Sequence, residues 1–486
     1  MTGLSHLRSR GGSRPRVRGP EGRSGVSARP SGRGRVRAAG RARGPARVYA
    51  PAAMILRDPV HGLISFTGPV ESVVVRLLDC REVQRLRRIR ALGLASLAYP
   101  GGEHSRFAHA IGSAHVMKRY LDRVAALATD VPAHDRIDPE SAMVGLAAAL
   151  LHDLGHGPYS HTFEAVIPGA PRHELWTSRI LLDPETEVHR ALAEVDPSMP
   201  ARVERLIHGE SEIRHLARAV SGTFDVDRCD YLLRDSYMTG VRYGTLDLDW
   251  LLASLRLYVP EGASAAGLAV DGDKGLTAVE GFFLARLYMY RQVYLHKAVR
   301  AAEVGLRALV RRLGEVGPVV GTPPTLAKVL RGDALTTGEF LGMDDRTFES
   351  AIDAYTGASD PVLADLARRL RDRRLFKSVR LHPEADGRAA KARLDEVLAT
   401  AGVGPSYLGV VDRVQVDAYT DDAALVVISS SGRRERLIDS SPVLRGLSRE
   451  TFVQHRAIFP PEVRPEVRQA LAAFRDEPGQ LTIAGA

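Results

Sequence analysis

The stretch LHDLGHGPYSH, residues 151–161, decides the fold class. It ends an almost wholly apolar run from Met143 to Leu151, which follows a suitable helix N-cap, Asp138. Such a run predicts a buried central helix. His152 and Asp153 close that helix, and buried polar side chains cost free energy unless they are hydrogen-bonded or coordinated. We therefore predict that His152 and Asp153 bind a divalent metal ion, which would satisfy both.

The chain changes direction directly after this pair. Gly155, Gly157 and Pro158 break the helix and favour a sharp turn. We expect the turn to bring His156 and His161 back toward the same point.

A hydrolytic metal site needs more than two ligands, and two further candidates stand out. His109 lies in the first turns of a helix predicted over residues 105–128, capped by Ser105, and Asp227 lies near the start of DVDRCDYLLRD, residues 225–235. A lone helical histidine is more often an ordinary residue than a ligand, so the prediction depends on the conjunction of these segments. Imidazole and carboxylate ligands leave positions open for water and phosphate oxygens.

The composition limits the possible classes of protein. The 486 residues are 44% hydrophobic, which allows a large core, and no apolar run approaches the roughly 20 residues of a membrane span. Two cysteines cannot form a disulfide framework. We expect a soluble, cytoplasmic protein with no membrane partner.

The positive charge is concentrated at the N-terminus. Residues 1–53 contain 13 arginines and one acid and carry +12 of charge, whereas the rest of the chain carries −3 of the total of +9. This Arg/Gly-rich tail is predicted to be disordered. Two explanations stay open: the natural start is Met54, or the tail is an arm that binds nucleic acid or another polyanion.

The organisation predicted beyond the tail is mainly helical. We expect an HD-type helical domain over residues 54–380 that opens with a short hairpin, followed by a smaller α/β lobe and tail over residues 381–486. Alternating apolar residues from Tyr407 to Ile428 predict strands in that lobe, and Gly432 a turn.

The motifs together resemble the HD-domain superfamily, and within it the deoxynucleoside triphosphate triphosphohydrolases, including the sterile-alpha-motif-linked enzymes. The resemblance covers residues 54 to about 300. It is carried by DPVHG at 58–62, QRLRRI at 84–89, HSRFAHAIG at 104–112, HDLGHGPYSH at 152–161, DVDRCDYLLRD at 225–235 and YLHK at 294–297.

The resemblance implies metal-dependent hydrolysis of deoxynucleoside triphosphates, with water attacking the α-phosphate, by a homo-oligomer. The implied metal ligands are His109, His152, Asp153 and Asp227, and Mn, Mg, Fe, Co and Zn suit them alike. His156 or His161 would protonate the leaving group, with Glu164 orienting the histidine. The triphosphate and sugar pocket would also include Arg106, His173, Arg228, Tyr231, Asp235, Arg286 and Tyr294. Spacing predicts that Arg286, Tyr290 and Tyr294 share one helical face.

Some positions differ from the family pattern. Ala91 and Leu295 replace glutamines that contact sugar and base in the animal enzymes, so the substrate is less certain than the reaction class. Asp79, Gln84 and Arg87 match positions that bind an activating guanine nucleotide there. The alternative is that these three residues only cap and brace a surface helix.

Two other functions stay open. The protein could hydrolyse another nucleotide or phosphoester, since the four-ligand set is common to many HD enzymes. From a different class, it could bind nucleic acid through the arginine tail beside a vestigial site, although its net negative body disfavours polyanion binding.

Overall fold

The computed structural model describes residues 53–167, 170–404, 406–419, 422 and 425–475, so the predicted tail lies almost wholly outside the described residues. The helices are α1 (Ser72–Leu78), α2 (Arg81–Arg85), α3 (Arg106–Ala126), α4 (Pro139–Leu151), α5 (His161–Val166), α6 (His173–Leu182), α7 (Glu187–Ala193), α8 (Met199–Ile207), α9 (Arg214–Ser221), α10 (Val226–Thr239), α11 (Leu248–Ala253), α12 (Leu276–Met289), α13 (Lys297–Val316), α14 (Pro324–Leu330), α15 (Thr337–Leu341), α16 (Asp345–Tyr355), α17 (Pro361–Arg371), α18 (Gly387–Thr400), α19 (Leu437–Ser440), α20 (Pro442–Leu447) and α21 (Arg464–Ala470). The strands are β1 (Met54–Asp58), β2 (Gly62–Phe66), β3 (Leu255–Tyr258), β4 (Gly267–Asp271), β5 (Lys377–Arg380), β6 (Val410–Asp417), β7 (Val426–Ile428), β8 (Arg434–Arg436) and β9 (Thr451–Phe459).

Three helices form the part of the core that positions the site. α4 is buried from Val144 to Leu151, with the Asp138 carboxylate accepting a hydrogen bond from the Ser141 amide at 2.7 Å. α3 begins directly after its N-cap Ser105, whose hydroxyl oxygen accepts a hydrogen bond from the Ala108 amide. α3 packs against both α4 and α10. The helices predicted over these residues are therefore confirmed, because cap chemistry and apolar periodicity are local signals.

The strands form three small sheets. β1 and β2 make the predicted entry hairpin, β3, β4, β7 and β8 make a second sheet in that order, and β9 lies between β5 and β6 in a third. The strand prediction after Tyr407 is confirmed, with Gly432 at φ +79° in the turn before β8. However, β6 and β7 belong to different sheets, and β3 and β4 lie in a region predicted to be helical.

The sheets belong mostly to the C-terminal part of a mainly helical chain, as predicted. A separate small core, formed by Leu381, Leu394, Phe459 and Val467 among others, lies under α18 and β9. The domain boundary at residue 380 stays a prediction. Among the described residues, no helix is long and apolar enough to cross a membrane.

Candidate active site

Four side chains from three helices meet at one point. His109 comes from α3, His152 and Asp153 from the end of α4, and Asp227 from the first turn of α10. His109 Nε2 lies 2.9 Å from Asp227 Oδ1, 3.3 Å from His152 Nε2 and 3.6 Å from Asp153 Oδ2. We call these four residues the metal quartet.

The donor atoms of the metal quartet fit a metal ion. Ligands about 2.1 Å from a common ion lie roughly 3.0–3.4 Å from one another at tetrahedral or octahedral angles. The separations of 2.9–3.6 Å from the His109 and His152 nitrogens to each other and to the Asp153 and Asp227 oxygens match this spacing. The donor atoms of His109, His152 and Asp153 all lie within 4.8 Å of one another, and Asp227 lies outside that group of three. The residues present can therefore hold a divalent cation.

The remaining nitrogen of each histidine is held by the protein. His109 Nδ1 lies 2.7 Å from Asp230 Oδ2, and His152 Nδ1 lies 2.9 Å from the Ala149 carbonyl oxygen. Because each Nδ1–H has an acceptor, Nε2 is the nitrogen left for a cation, which must displace the proton that Nε2 carries when the ring is charged. This support orients both rings before any ion binds.

Sequence reasoning missed Asp230. It is fully buried and accepts two hydrogen bonds from Arg234, at 2.8 and 2.9 Å, beside its contact with His109. His61 Nε2 lies 2.7 Å from the other oxygen of Asp230. Two features of the sequence could have pointed to Asp230: it lies three residues after Asp227, and the DPVHG motif contains its partner His61.

The charges around the metal quartet favour a cation. Burial disfavours protonated His109, but hydrogen bonds to Asp227 and Asp230 outweigh it and raise the pKa of His109 to about 10. Burial likewise opposes ionisation of Asp153, yet Arg106 and His152 hold the pKa of its carboxyl well below the usual range. The carboxylates stay ionised at neutral pH, so the site attracts positive charge.

A second group adjoins the metal quartet, and we call it the histidine cluster: His156, His161, Glu164 and His173. The His156 and His173 rings stack with centroids 3.9 Å apart, and His161 meets them edge-on. Glu164 Oε1 lies 2.8 Å from His173 Nδ1 and 3.8 Å from His161 Nδ1. Glu164 therefore hydrogen-bonds His173 rather than His161, contrary to the expected orienting contact.

The stacked His156 and His173 rings cannot both bind one metal ion. The donor atoms of the histidine cluster lie within 4.8 Å of one another. However, the stacked rings are only 14° from parallel, so one ion cannot lie in the plane of both, as imidazole coordination requires. Imidazole N–H groups in this arrangement can instead donate to phosphate oxygens.

Asp153 joins the two groups. Its Oδ1 lies 3.2 Å from His156 Nε2, and its Oδ2 is paired with Arg106. Arg106 also donates to the Ser160 hydroxyl at 2.7 Å and is 6% exposed. A buried guanidinium therefore contacts both the metal quartet and Ser160, the residue directly before His161.

Aromatic and acidic residues line the other side of the site. Asp235 accepts a hydrogen bond from the Tyr294 hydroxyl at 2.8 Å and lies 2.8 Å from His104 Nε2. The Tyr231 ring stands between His109 and Tyr294, with centroid distances of 6.5 and 6.3 Å. His104 was missed, although it opens the HSRFAHAIG motif.

The end of α12 differs from the expected regular helix. α12 stops at Met289, and a π-helical turn spans Tyr290–Tyr294, so the assumed spacing on one α-helical face is wrong. The three side chains still meet: Arg286 lies 5.2 Å from the Tyr290 ring, which contacts Tyr294 edge-on. Single π turns of this kind often occur at functional sites.

Arg228 is placed differently from the other predicted pocket residues. Its guanidinium pairs with Asp225, the N-cap of α10, and donates to the Gly222 carbonyl oxygen at 2.6 Å. The side chain is about one-third exposed. Both contacts are made through Nη1, so the guanidinium can keep them while its other N–H groups donate to a phosphate.

Comparison with known proteins identifies the family. The chain is 32% identical over 438 residues to protein YwfO of Bacillus subtilis, which is uncharacterized, covering 86% of this chain and 96% of that protein. The sequence profile of the HD associated region matches residues 256–474. A phosphohydrolase crystal structure from Bacteroides thetaiotaomicron matches with a TM-score of 0.70 and 26% identity, over 84% of this chain and 100% of that one. This chain is an HD-domain phosphohydrolase.

Some relatives of this HD phosphohydrolase have a stated activity. The deoxynucleoside triphosphate triphosphohydrolase SAMHD1 homologue of Dictyostelium discoideum is 29% identical over 259 residues. That alignment spans 51% of this chain and 47% of the relative.

The expected effector residues brace helices in this HD phosphohydrolase. Gln84 Nε2 donates to the Leu78 carbonyl oxygen at the end of α1, and Arg87 donates to Gln84 Oε1 at 2.8 Å. The Arg87 guanidinium also lies 3.6 Å from the Phe107 ring, and Asp79 is exposed. These contacts agree with the bracing alternative, and nucleotide binding there stays a prediction.

Proposed function

We propose that the protein hydrolyses deoxynucleoside triphosphates to a deoxynucleoside and inorganic triphosphate. The single observation that carries this proposal is that Asp153 belongs to the metal quartet, where it lies beside His109, and also contacts His156 of the histidine cluster. A cation site therefore borders a group of phosphate-binding imidazoles and Arg106. The related SAMHD1 enzymes, which carry this activity in their names, agree with it.

The metal quartet would hold one divalent cation of the Mn, Mg, Fe, Co or Zn class. When bound, such an ion supplies Lewis acidity and makes water more acidic near the α-phosphate. Arg106 and the partly exposed imidazole of His173 bind the negative oxygens of the triphosphate and orient it for in-line attack.

The bond from the α-phosphorus to the 5′-oxygen breaks, and that oxygen needs a proton. We assign the donation to His161, whose side chain is 71% exposed and can turn toward the substrate, whereas His156 is closed in. The positive charges of Arg106 and His173 disfavour a charged His161 and lower its pKa. Donation near neutral pH therefore requires the triphosphate charge to raise this pKa.

The sugar would bind on the aromatic side. The Asp235 carboxylate can accept a hydrogen bond from a 3′-hydroxyl, and the Tyr231 ring offers a flat surface to the deoxyribose. Tyr294 holds Asp235 in place from the opposite side.

Product analysis tests the reaction. The purified protein is incubated with each dNTP and NTP in H₂¹⁸O with Mn²⁺, Mg²⁺, Co²⁺ or no metal, and the products are separated. Nucleoside and ¹⁸O-labelled triphosphate are expected, because water attacks the α-phosphorus. Pyrophosphate or nucleoside monophosphate as the first product would contradict the proposal.

The same experiment tests the neighbouring possibility of another nucleotide substrate. Leu295 is almost fully buried and Ala91 has no polar side chain, so neither offers the contact of the glutamine found in animal enzymes. If the protein prefers a ribonucleotide or a single base, the differences at Leu295 and Ala91 would explain that preference. Cytoplasmic location and homo-oligomer formation stay predictions.

A further inference from the structure

A loop of residues 155–160, the second part of the connection between α4 and α5, has an unusual backbone. Tyr159 and Ser160 both have positive φ, at +56° and +59°, and neither is a glycine. Residues other than glycine keep such conformations only where the surrounding structure holds them. This catalytic loop contains His156 and leads directly into His161.

The first turn of α16 holds the loop through hydrogen bonds. Asp345 Oδ1 accepts from the Tyr159 amide at 2.7 Å, and Oδ2 accepts from the Arg90 amide at 2.9 Å. Asp345 is 3% exposed, so water does not compete for these bonds. The residues joined lie 186 positions apart in the chain.

The same face of α16 also makes an apolar contact with the loop region. Phe348, one turn after Asp345, meets the rings of Tyr159 and Phe163 at centroid distances of 6.0 and 5.9 Å. α16 therefore touches both the backbone and the side chains around the positive-φ residues.

A buried arginine fastens the start of the loop to the same segment. Arg85 donates to the His156 carbonyl oxygen at 2.9 Å and to the Met343 carbonyl oxygen at 2.9 and 2.7 Å. Its side chain is 1% exposed. Both ends of the catalytic loop are thus tied to residues 343–345, within the HD associated region.

We propose that Asp345 is a positioning residue that sets the conformation of the catalytic loop and so the placement of His156 and His161. Its effect on turnover rests on the function proposed above, but its effect on the loop does not. The metal quartet side chains come from α3, α10 and the two residues after α4, so we expect the affinity for metal to change less than the loop conformation.

Asp345→Asn is the informative variant. The carboxylate gives one oxygen to each of two amides, whereas an asparagine has one oxygen and one NH₂ group. The NH₂ group then faces a buried N–H donor, which loses its partner. Glu349→Gln is the matched control, because it makes the same charge change one helical turn further on, at a 44% exposed side chain that pairs with Arg90.

Amide hydrogen exchange of the full-length protein tests the loop directly. In Asp345→Asn, exchange in residues 155–163 should accelerate at least about tenfold relative to α3 and α10, with Mn²⁺ affinity within about threefold of wild type. Glu349→Gln should leave all of these unchanged. Phe348→Leu, which removes only the ring contact, should accelerate the same segment to a smaller degree.

Turnover gives a second readout for the same variant. If the wild type releases triphosphate, kcat of Asp345→Asn should fall at least about tenfold with little change in the metal requirement. Unchanged loop exchange, or equal acceleration throughout the protein, would overturn the proposal. A wild-type protein without triphosphate release would reject the proposed function but leave the exchange result decisive.

Discussion

The metal quartet and the histidine cluster share Asp153 but are built differently. The quartet side chains project from helices or a helix end, each set by a local cap and an apolar stripe. In the histidine cluster, His156 lies in the loop and His161 directly follows two positive-φ residues. The proposed metal ligands are therefore positioned by the helical core, whereas the proposed positions of His156 and His161 depend on support from α16.

The largest expected effect comes from removing a quartet ligand. His152→Ala should abolish metal binding and lower turnover at least about a thousandfold, because the remaining ligands cannot hold the ion in place. Metal content by mass spectrometry and product release measure both. His208→Ala, at a histidine directly after α8 whose side chain is about one-third exposed, is the control and should keep both properties. A metal-free variant with full activity would contradict the assignment of the quartet.

The second effect separates the two regions. His161→Asn should lower kcat by about 10²–10⁴ through loss of the proton donor while metal content stays at the wild-type level. The fall in kcat of His161→Asn should be smaller with a substrate whose leaving group is more acidic than the 5′-hydroxyl. Loss of metal together with activity would show that the regions are not separable.

The third effect sharpens the account of the quartet. Asp230→Asn should weaken metal binding by about 10–100-fold, because the neutral amide is a poorer acceptor for His109 Nδ1–H. Titration calorimetry with Mn²⁺ on protein of verified fold measures the affinity. Asp249→Asn removes an exposed carboxylate that pairs with Arg119 and serves as the control. Equal affinities would limit Asp230 to a role in packing with Arg234.

The smallest effect concerns pH and the support of the loop. Burial raises the pKa of Asp345 to about 6, against the lowering effect of the Arg90 and Tyr159 amides and the Arg90 charge. The folded protein therefore binds this proton more tightly than the unfolded chain, and the contribution of Asp345 to the free energy of unfolding should rise as pH falls from 7. Asp345→Asn cannot take up this proton. The difference in free energy of unfolding between wild type and Asp345→Asn should therefore grow by about 1.4 kcal/mol between pH 7 and pH 5. Urea unfolding at both pH values measures this difference, and a constant deficit would contradict the raised pKa.

Much of the quartet could be predicted because its signals are local. Ser105 and Asp138 cap helices within a few residues of His109 and His152, and the apolar residues between repeat at helical spacing. The strands β3 and β4 were missed because short apolar segments do not distinguish a strand from a buried helix. The π turn at Tyr290 was missed because the spacing of Arg286, Tyr290 and Tyr294 in the sequence is the same whether the backbone there is α-helical or π-helical.

The sequence by itself determined the helical class, the bounds of α3 and α4 and the choice of four candidate ligands, because caps, glycines and periodicity act over a few residues. Only the tertiary structure decided that Asp230 supports His109, that Glu164 bonds His173 and that Asp345 holds Tyr159. The first and third of these pairs lie 121 and 186 residues apart, so no local spacing predicts them. Their proximity follows from how whole helices pack, which depends on the complete core.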